Sequence, residues 1–297
     1  MDARTGHYKR RDKMPTLRTM FPFARTFARF PLIARLRARK DARIDAYRKE
    51  HLFDNPVYSD PKRLNRFEFQ AYSQSGEDGI IAEIFRRIGV TNRVFVECGV
   101  GDGYQCNSLY LLLQGWTGLW IESNPRSCRS IRRAHADAIS GKKLIVMDTA
   151  ATAQTFDALL VQSGVDNEPD LLSIDTDGND YWLWKSIVHK RPRVVVIEYN
   201  ALHRPPVEWI MKENPAHVWK RDTYYGASLS SLEKLGKEKG YTLVGCNFSG
   251  GNAFFVRDDL VGSHFVTSGA AYHYEPLRLF LLRPAGAFPM RFSEQET

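Results

Sequence analysis

From about residue 66 the chain alternates short, continuously apolar runs with stretches whose apolar residues recur every third or fourth position. The continuous runs are RVFVEC (93–98), TGLWIES (117–123), KKLIVMDT (142–149), PDLLSIDTD (169–177), PRVVVIEYN (192–200), YTLVGCN (241–247) and NAFFVRDD (252–259). Each is short for a helix and bounded by turn residues, as expected of strands buried on both faces. Between them lie helical patterns: GEDGIIAEIFRRIG (76–89), with Ile80, Ile81, Ile84 and Phe85 on one face, NSLYLLLQGW (107–116), PRSCRSIRRAHAD (125–137), AQTFDALLVQSG (153–164), DYWLWKSIV (180–188) and SLSSLEKLGKEKG (228–240). Strands alternating with helices predict a mostly parallel sheet covered on both faces. The last two strands are separated only by FSGG, too short for a crossover, so they predict an antiparallel hairpin. The expected fold is a doubly wound α/β domain with a mostly parallel seven-stranded sheet ending in that hairpin.

The first 65 residues lack this alternation and read as a basic, partly helical arm. The expected organisation is this arm (1–65), a core domain (66–265) and a C-terminal extension (266–297). Residues 1–50 hold 15 Lys and Arg against 5 Asp and Glu, a net of +10, out of a net +8 for all 297 residues. The body is therefore slightly acidic, and the basic character belongs to the arm. Phe23, Phe27 and Phe30 recur at spacings of four and three with Arg25 and Arg29 between them, and Pro22 and Pro31 limit that helix to short pieces. A second stretch, Ile33 to Arg48, is helix-compatible and highly charged. The arm either packs its Phe on the body or a partner, or lays residues 15–50 on an anionic membrane surface. Asp2 and Asp12 count against a cleaved transit peptide. No apolar run is long enough to span a membrane. The four cysteines, Cys98, Cys106, Cys128 and Cys246, form no C-x-x-C pair, which fits a reducing cytoplasm. A cytoplasmic protein, with peripheral attachment at the inner membrane surface as the second expectation, follows; a homo-oligomer stays open.

The first sheet strand breaks into Gly99-Val100-Gly101-Asp102-Gly103, a turn that lets a ligand approach the backbone. It is not the nicotinamide fingerprint: Tyr104 stands where the third glycine belongs, and Glu97 and Asp102 would repel a pyrophosphate. No Lys-Ser/Thr follows, which excludes a P-loop. The acids suit a ligand carrying ammonium and sulfonium groups. The second strand ends in Glu122, placed to accept hydrogen bonds from both hydroxyls of a ribose. The third ends in Asp148, a candidate acceptor for an adenine amino group. Gln74 is a candidate to close over the methionine end, although Ser75, Glu77 and Asp78 beside it also read as an ordinary helix start. Together these features describe a site for S-adenosylmethionine.

The stretch Glu97-Cys98-Gly99-Val100-Gly101-Asp102-Gly103 resembles motif I of the class I S-adenosylmethionine-dependent methyltransferases. GYTLVGCNFSGGNAFFV (240–256) resembles their closing hairpin, which implies the Rossmann-like methyltransferase fold. YSQSGEDGII (72–81), LLSIDTDGNDYW (171–182) and VVVIEYNA (194–201) resemble the FkbM-like branch, whose members mostly methylate hydroxyl groups on sugars and polyketide-type products. The resemblance spans roughly residues 70–260. It departs from the branch at Ile174-Asp175-Thr176-Asp177-Gly178, where I-D-x-E-G is usual.

The chemistry of the acceptor falls to the ends of the fourth and fifth strands. A hydroxyl attacks a methyl sulfonium only once deprotonated or metal-bound. Asp175, Glu198 and Asn200 offer an all-oxygen set suited to Mg²⁺, and Asp175 also lies where it can meet the cofactor. Without a metal, Asp175 and Glu198 would orient the hydroxyl, with His203 as the general-base candidate. Tyr224, Tyr225 and Ser228 are expected to line the acceptor pocket, and Trp182, Trp184 and Trp209 to pack the core. The acceptor expected is a small molecule or glycan. A nucleic-acid substrate held by the arm is the alternative, but the N/D-P-P-Y/F turn of amino-directed enzymes is missing after the fourth strand. A non-catalytic scaffold retaining the fold is the third reading.

Overall fold

A computed structural model describes residues 30–281, and the chain divides into two units, 1–50 and 51–297. Among the described residues of the first unit, helix α1 (Phe30–Arg48) runs for 19 residues. Pro31 lies in its first turn, where a missing N–H costs nothing. The pattern read on Phe23 and Phe27 lies outside the described residues. Among the described residues no helix is long and apolar enough to cross a membrane.

The second unit carries the seven strands anticipated: β1 (Val94–Cys98), β2 (Thr117–Glu122), β3 (Leu144–Asp148), β4 (Leu171–Ile174), β5 (Val194–Glu198), β6 (Tyr241–Cys246) and β7 (Asn252–Arg257). Their order across the sheet is β3-β2-β1-β4-β5-β7-β6. The first five pair in parallel, and β7 runs antiparallel between β5 and β6. This is the Rossmann-like methyltransferase arrangement. The order turns back between β1 and β4, so the connections leaving these neighbours part and open a crevice at their carboxyl ends.

Alternate residues of each strand serve opposite cores, which is why the runs are continuously apolar. Val96, Val195 and Ile197 pack with helices α6 (Phe156–Gln162), α7 (Asp180–Ser186) and α8 (Leu229–Lys239) through Phe156, Leu183, Trp184 and Leu232. Phe95, Val194 and Val196 pack on the other face with α2 (Glu77–Ile88), α3 (Leu109–Leu113) and α4 (Pro125–Ala134), through Ile80, Ile84, Leu112 and Ile131; α5 (Ala136–Ser140) follows α4. Residues 51–65 and 266–281 also belong to this unit. Glu275 ties them together: its carboxylate accepts from Tyr58 at 3.0 Å and Arg278 at 2.9 Å, and its carbonyl accepts from the Tyr199 hydroxyl at 2.6 Å.

At the amino-terminal edge of the sheet, buried Asp170 accepts the N–H groups of Thr91, Asn92 and Arg93 and pairs with Arg193 at 2.6 Å. Arg193 also donates to the carbonyls of Ile88 and Gly89. Burial alone would raise the Asp170 pKa; the Arg193 guanidinium and the donated N–H groups outweigh it and hold the carboxyl below its usual range. Removing one partner of a buried pair strands the other. Asp170→Ala is therefore expected to cost about 3–5 kcal/mol in urea denaturation at pH 7. Because the folded-state pKa is depressed, this contribution is present above about pH 4 and lost as pH falls further, so the gap between variant and wild type should narrow in acid.

Candidate cofactor and acceptor site

The turn after β1 is shaped by one close approach of backbone to backbone and by one hydrogen bond to a carboxylate. Gly99 has φ +87° and faces the carbonyl of Asp175, so a Cβ there would lie 1.6 Å from that oxygen. Gly101 has φ +63° and nothing within 4 Å of an added Cβ, so its glycine serves backbone conformation alone. The Gly101 N–H donates to Glu122 Oε2 at 2.8 Å, and Asn124 N–H donates to Glu122 Oε1 at 2.7 Å. Glu122 thereby fixes the β1 turn against the β2 turn.

Beyond these turns lies a cavity of about 390 Å³. Its walls come from Gln74, Cys98–Gly101, Glu122–Asn124, Thr149–Ala151, Asp175–Asp177 and the 215–217 segment. Of the residues expected at a cofactor, Gln74, Gly99, Gly101, Glu122 and Asp175 are brought together here. Three others are not. Glu97 is buried and accepts from Asn107 N–H at 2.8 Å, Ser108 N–H at 2.9 Å and the Ser108 hydroxyl, so its carboxylate caps the approach to α3. Gly103 packs against Ile131 and Trp120. Asp148 is exposed and sits beside the Cys128 thiol, whose pKa burial and that carboxylate push up to about 11. Residues 149–151 line the cavity in its place.

The segment around Gln74 is held from inside. Asp78 accepts the N–H groups of Ala71, Tyr72 and Ser73 at 2.7–2.8 Å. Glu77 accepts those of Ser75 and Gly76 and reaches Asn247 and Asn252 on the β6–β7 hairpin. The two acids of the helix start thus bend the chain that carries Gln74. Ser75 does not cap the helix.

Asp175 and Asp177 of the cavity wall converge with Glu198, which stands behind that wall, with one carboxylate oxygen of each within 4.8 Å of the others. Glu198 Oε2 is buried without a hydrogen-bond partner, and Asp177 has φ +55°, uncommon outside glycine. Burial, then the neighbouring carboxylates, raises the pKa of Asp175 and of Glu198 well above the usual range, and Asp177 rises for the same reasons. Asp180, at the start of α7, accepts the N–H groups of Thr176 and Gly178 and shapes this turn.

Asn200 does not join the acids: its amide donates to the carbonyls of Thr223 and Tyr225, and its Oδ1 accepts Leu202 N–H. Asp177 takes the place expected for it. Ser228 is fully buried as the cap of α8, accepting from Ser231 N–H and Trp209 N–H, so it is not a pocket residue. His203 does not line the cavity; it stacks on Trp209 with centroids 4.2 Å apart. Trp209 is half-buried at a surface aromatic group with Tyr224, not in the core. Tyr225 lies near the acid cluster, its pKa raised by burial and then by Glu198 and Asp175. The residue not anticipated is His217, which lines the cavity, contacts Tyr224 and has a buried Nε2 without a partner.

No protein-family model matches the chain, and no curated protein matches it. Among solved structures, a provisionally assigned O-methyltransferase from Klebsiella pneumoniae is similar over 73% of this chain and 96% of that one, at 17% identity and a TM-score of 0.43. A provisionally assigned caffeoyl-CoA O-methyltransferase from Staphylococcus aureus is similar over 74% and 99%, at 15% and 0.44. For a provisionally assigned sarcosine dimethylglycine methyltransferase from Galdieria sulphuraria the figures are 56%, 61%, 14% and 0.38, so the match spans under two thirds of that protein. All three are methyltransferases by description. Likeness this distant carries no argument about acceptor or mechanism, which rest on the site itself.

The raised pKa values make a stability prediction. A group whose folded pKa is raised stabilises below its unfolded pKa and loses that contribution as pH rises. In metal-free buffer Asp175→Asn is therefore expected to melt above the wild type at pH 8, with the gain shrinking toward about pH 4, the unfolded-state value. A thermal melt showing no gain at pH 8 would mean the acids do not repel.

Proposed function

We propose that the protein is an S-adenosylmethionine-dependent O-methyltransferase acting on a hydroxyl of a sugar, glycan or small natural product. The observation that carries this reading is the distribution of charge along one cavity. A carboxylate, Glu122, stands where a ribose would lie, and the Asp175–Asp177–Glu198 cluster stands at the far side of the glycine turn. A nucleoside with its ribose on Glu122 would lay its base along 149–151 and carry its sulfur toward Asp175. There the positive sulfonium meets the acids that most need a counter-charge. A pyrophosphate in the same place would meet repulsion along its length.

Transfer requires an acceptor oxygen in line with the methyl carbon: the C–O bond forms as the C–S bond breaks, and the sulfur keeps the electron pair. The hydroxyl proton passes to a carboxylate, and Asp175 and Glu198, whose proton affinity burial raises, suit that task. Mg²⁺ also fits this donor set, since all its groups are oxygen and Glu198 Oε2 lacks a partner. Asp175, Asp177 and Glu198 would hold it, and when bound it would make the hydroxyl more acidic. The FkbM-like resemblance supports a sugar or polyketide-type acceptor. The turn Asp175-Thr176-Asp177-Gly178 disfavours an amino-directed nucleic-acid enzyme.

Calorimetry is expected to show S-adenosylmethionine binding and no NADH binding, with Glu122→Ala weakening it by about 1–3 kcal/mol. The reverse selectivity would refute the proposal. With labelled cofactor and a host metabolite or glycan extract, label should enter an O-methyl product. Chelator should abolish this transfer, and Mg²⁺ restore it, while cofactor affinity stays unchanged. Transfer that survives chelator would leave the carboxylates alone as the activating groups. A product methylated on nitrogen or carbon would refute the hydroxyl assignment.

A further inference from the structure

His217 reaches the cavity from a loop that is pinned in place. Asn179 Nδ2 donates to the Asn214 carbonyl at 2.8 Å, and Asn214 N–H donates back to Asn179 Oδ1 at 3.1 Å. Trp182 Nε1 donates to the Met211 carbonyl at 2.8 Å, and Gly226 N–H donates to the Gly178 carbonyl at 3.0 Å. The 211–226 loop is thereby fastened to the turn between β4 and α7, the turn that carries Asp175 and Asp177. Gly178 leaves room for the imidazole: a Cβ at 178 would lie 2.4 Å from His217 Cδ2 and 3.1 Å from Nε2. Tyr224 packs against the same ring at 6.5 Å between centroids, and Tyr224 is 49% exposed, so an open aromatic surface leads toward the imidazole from outside.

We propose that His217 is the acceptor-side wall of the reaction chamber, where its Nε2 accepts a hydrogen bond from the group that stands at the transferring methyl. This rests on the methyltransferase reading and deepens it, because it assigns the contact that orients the acceptor hydroxyl. Two observations place it. His217 lines the same cavity as Glu122, Asp175 and Asp177, and its ring lies against Gly178, the residue after Asp177. Its Nε2 has no partner within the protein, and a buried polar atom left unpaired is costly enough to mark a group awaiting one. His203, stacked on Trp209 and absent from the cavity, has no comparable position. A hydroxyl held by His217 beside Asp175 turns its lone pairs toward the methyl carbon; His217 orients the oxygen in the bound state, and the carboxylates of the cluster take the proton as the C–O bond forms. His217 is thus a positioning and specificity residue: acceptors with a hydroxyl beside a ring that can lie on Tyr224 are favoured.

Sinefungin and S-adenosylhomocysteine test this without knowledge of the acceptor. Sinefungin carries an amine where the methyl sulfonium stands, and S-adenosylhomocysteine carries nothing there. In calorimetry, His217→Phe keeps the ring against Gly178 and removes the nitrogen. It is expected to weaken sinefungin roughly tenfold to a hundredfold, the worth of a hydrogen bond to a charged donor. S-adenosylhomocysteine should change less than about twofold, which also reports a folded cavity. His217→Gln, which places a polar atom near Nε2, should recover much of the sinefungin affinity. Equal weakening of both ligands, or none in either, overturns the assignment of His217. A wild type that binds neither ligand overturns the methyltransferase reading instead.

Discussion

The close approach of Gly99 to the carbonyl of Asp175 is the constraint on which the site depends. β1 and β4 are neighbours, and Asp175 N–H donates to the Cys98 carbonyl just before the two chains part. At that point the β1 turn must bend with positive φ and have no side chain. With it in place, Gly101 N–H meets Glu122 on one side and the Asp175–Asp177 turn is held on the other. The distance between the two acidic ends of the cavity is therefore set by backbone packing. A methyl group would displace either β4 or the turn, and both ends would lose their register together.

The same packing explains how three acids come to lie so close. Asp175 follows β4 and Glu198 ends β5, so parallel pairing of Ile174 with Ile197 delivers both to one edge. Asp177 is turned back toward them by Asp180, which binds the backbone of Thr176 and Gly178. Such a cluster is expensive in the absence of a positive charge or of protons, because burial and mutual repulsion act in the same direction. Other buried acids are met from within the protein: Asp170 by Arg193, Glu77 by the N–H groups of Ser75 and Gly76, and Asp78 by loop N–H groups on Oδ2, with its Oδ1 unpaired. Asp175, Asp177 and Glu198 are, among the described residues, the acids placed to share a positive charge supplied from outside the chain.

The order and type of the strands were legible because the runs buried on both faces are continuously apolar, and because FSGG is too short for a crossover. The placing of Glu122, Gly99 and Gly101 at one cavity was legible because a strand end fixes where the next residues must go, whereas Gly103 turns to pack on Ile131 and Trp120. The acceptor side was less so. Asn200 and Ser228 follow a strand and precede a helix, as site residues would, but their side chains satisfy backbone groups of the 202–231 segment. Nothing local distinguishes an amide that donates to residues 23 and 25 positions away from one that faces a ligand. His203 and His217 share one long loop, and only the Asn179–Asn214 pairing and the space at Gly178 decide which faces the cavity. Glu97 shows a related ambiguity: an acid before a glycine turn serves equally to bind a ligand or to cap the next helix, and here it caps.

The most direct measurement is a crystal structure with S-adenosylhomocysteine bound. The ribose hydroxyls are expected on Glu122, the adenine along 149–151, and the sulfur on the side of Asp175 and Asp177 facing His217. Nucleoside found outside this cavity, or bound in it with the adenine against Asp175, would contradict the charge arrangement from which the cofactor and its orientation are inferred.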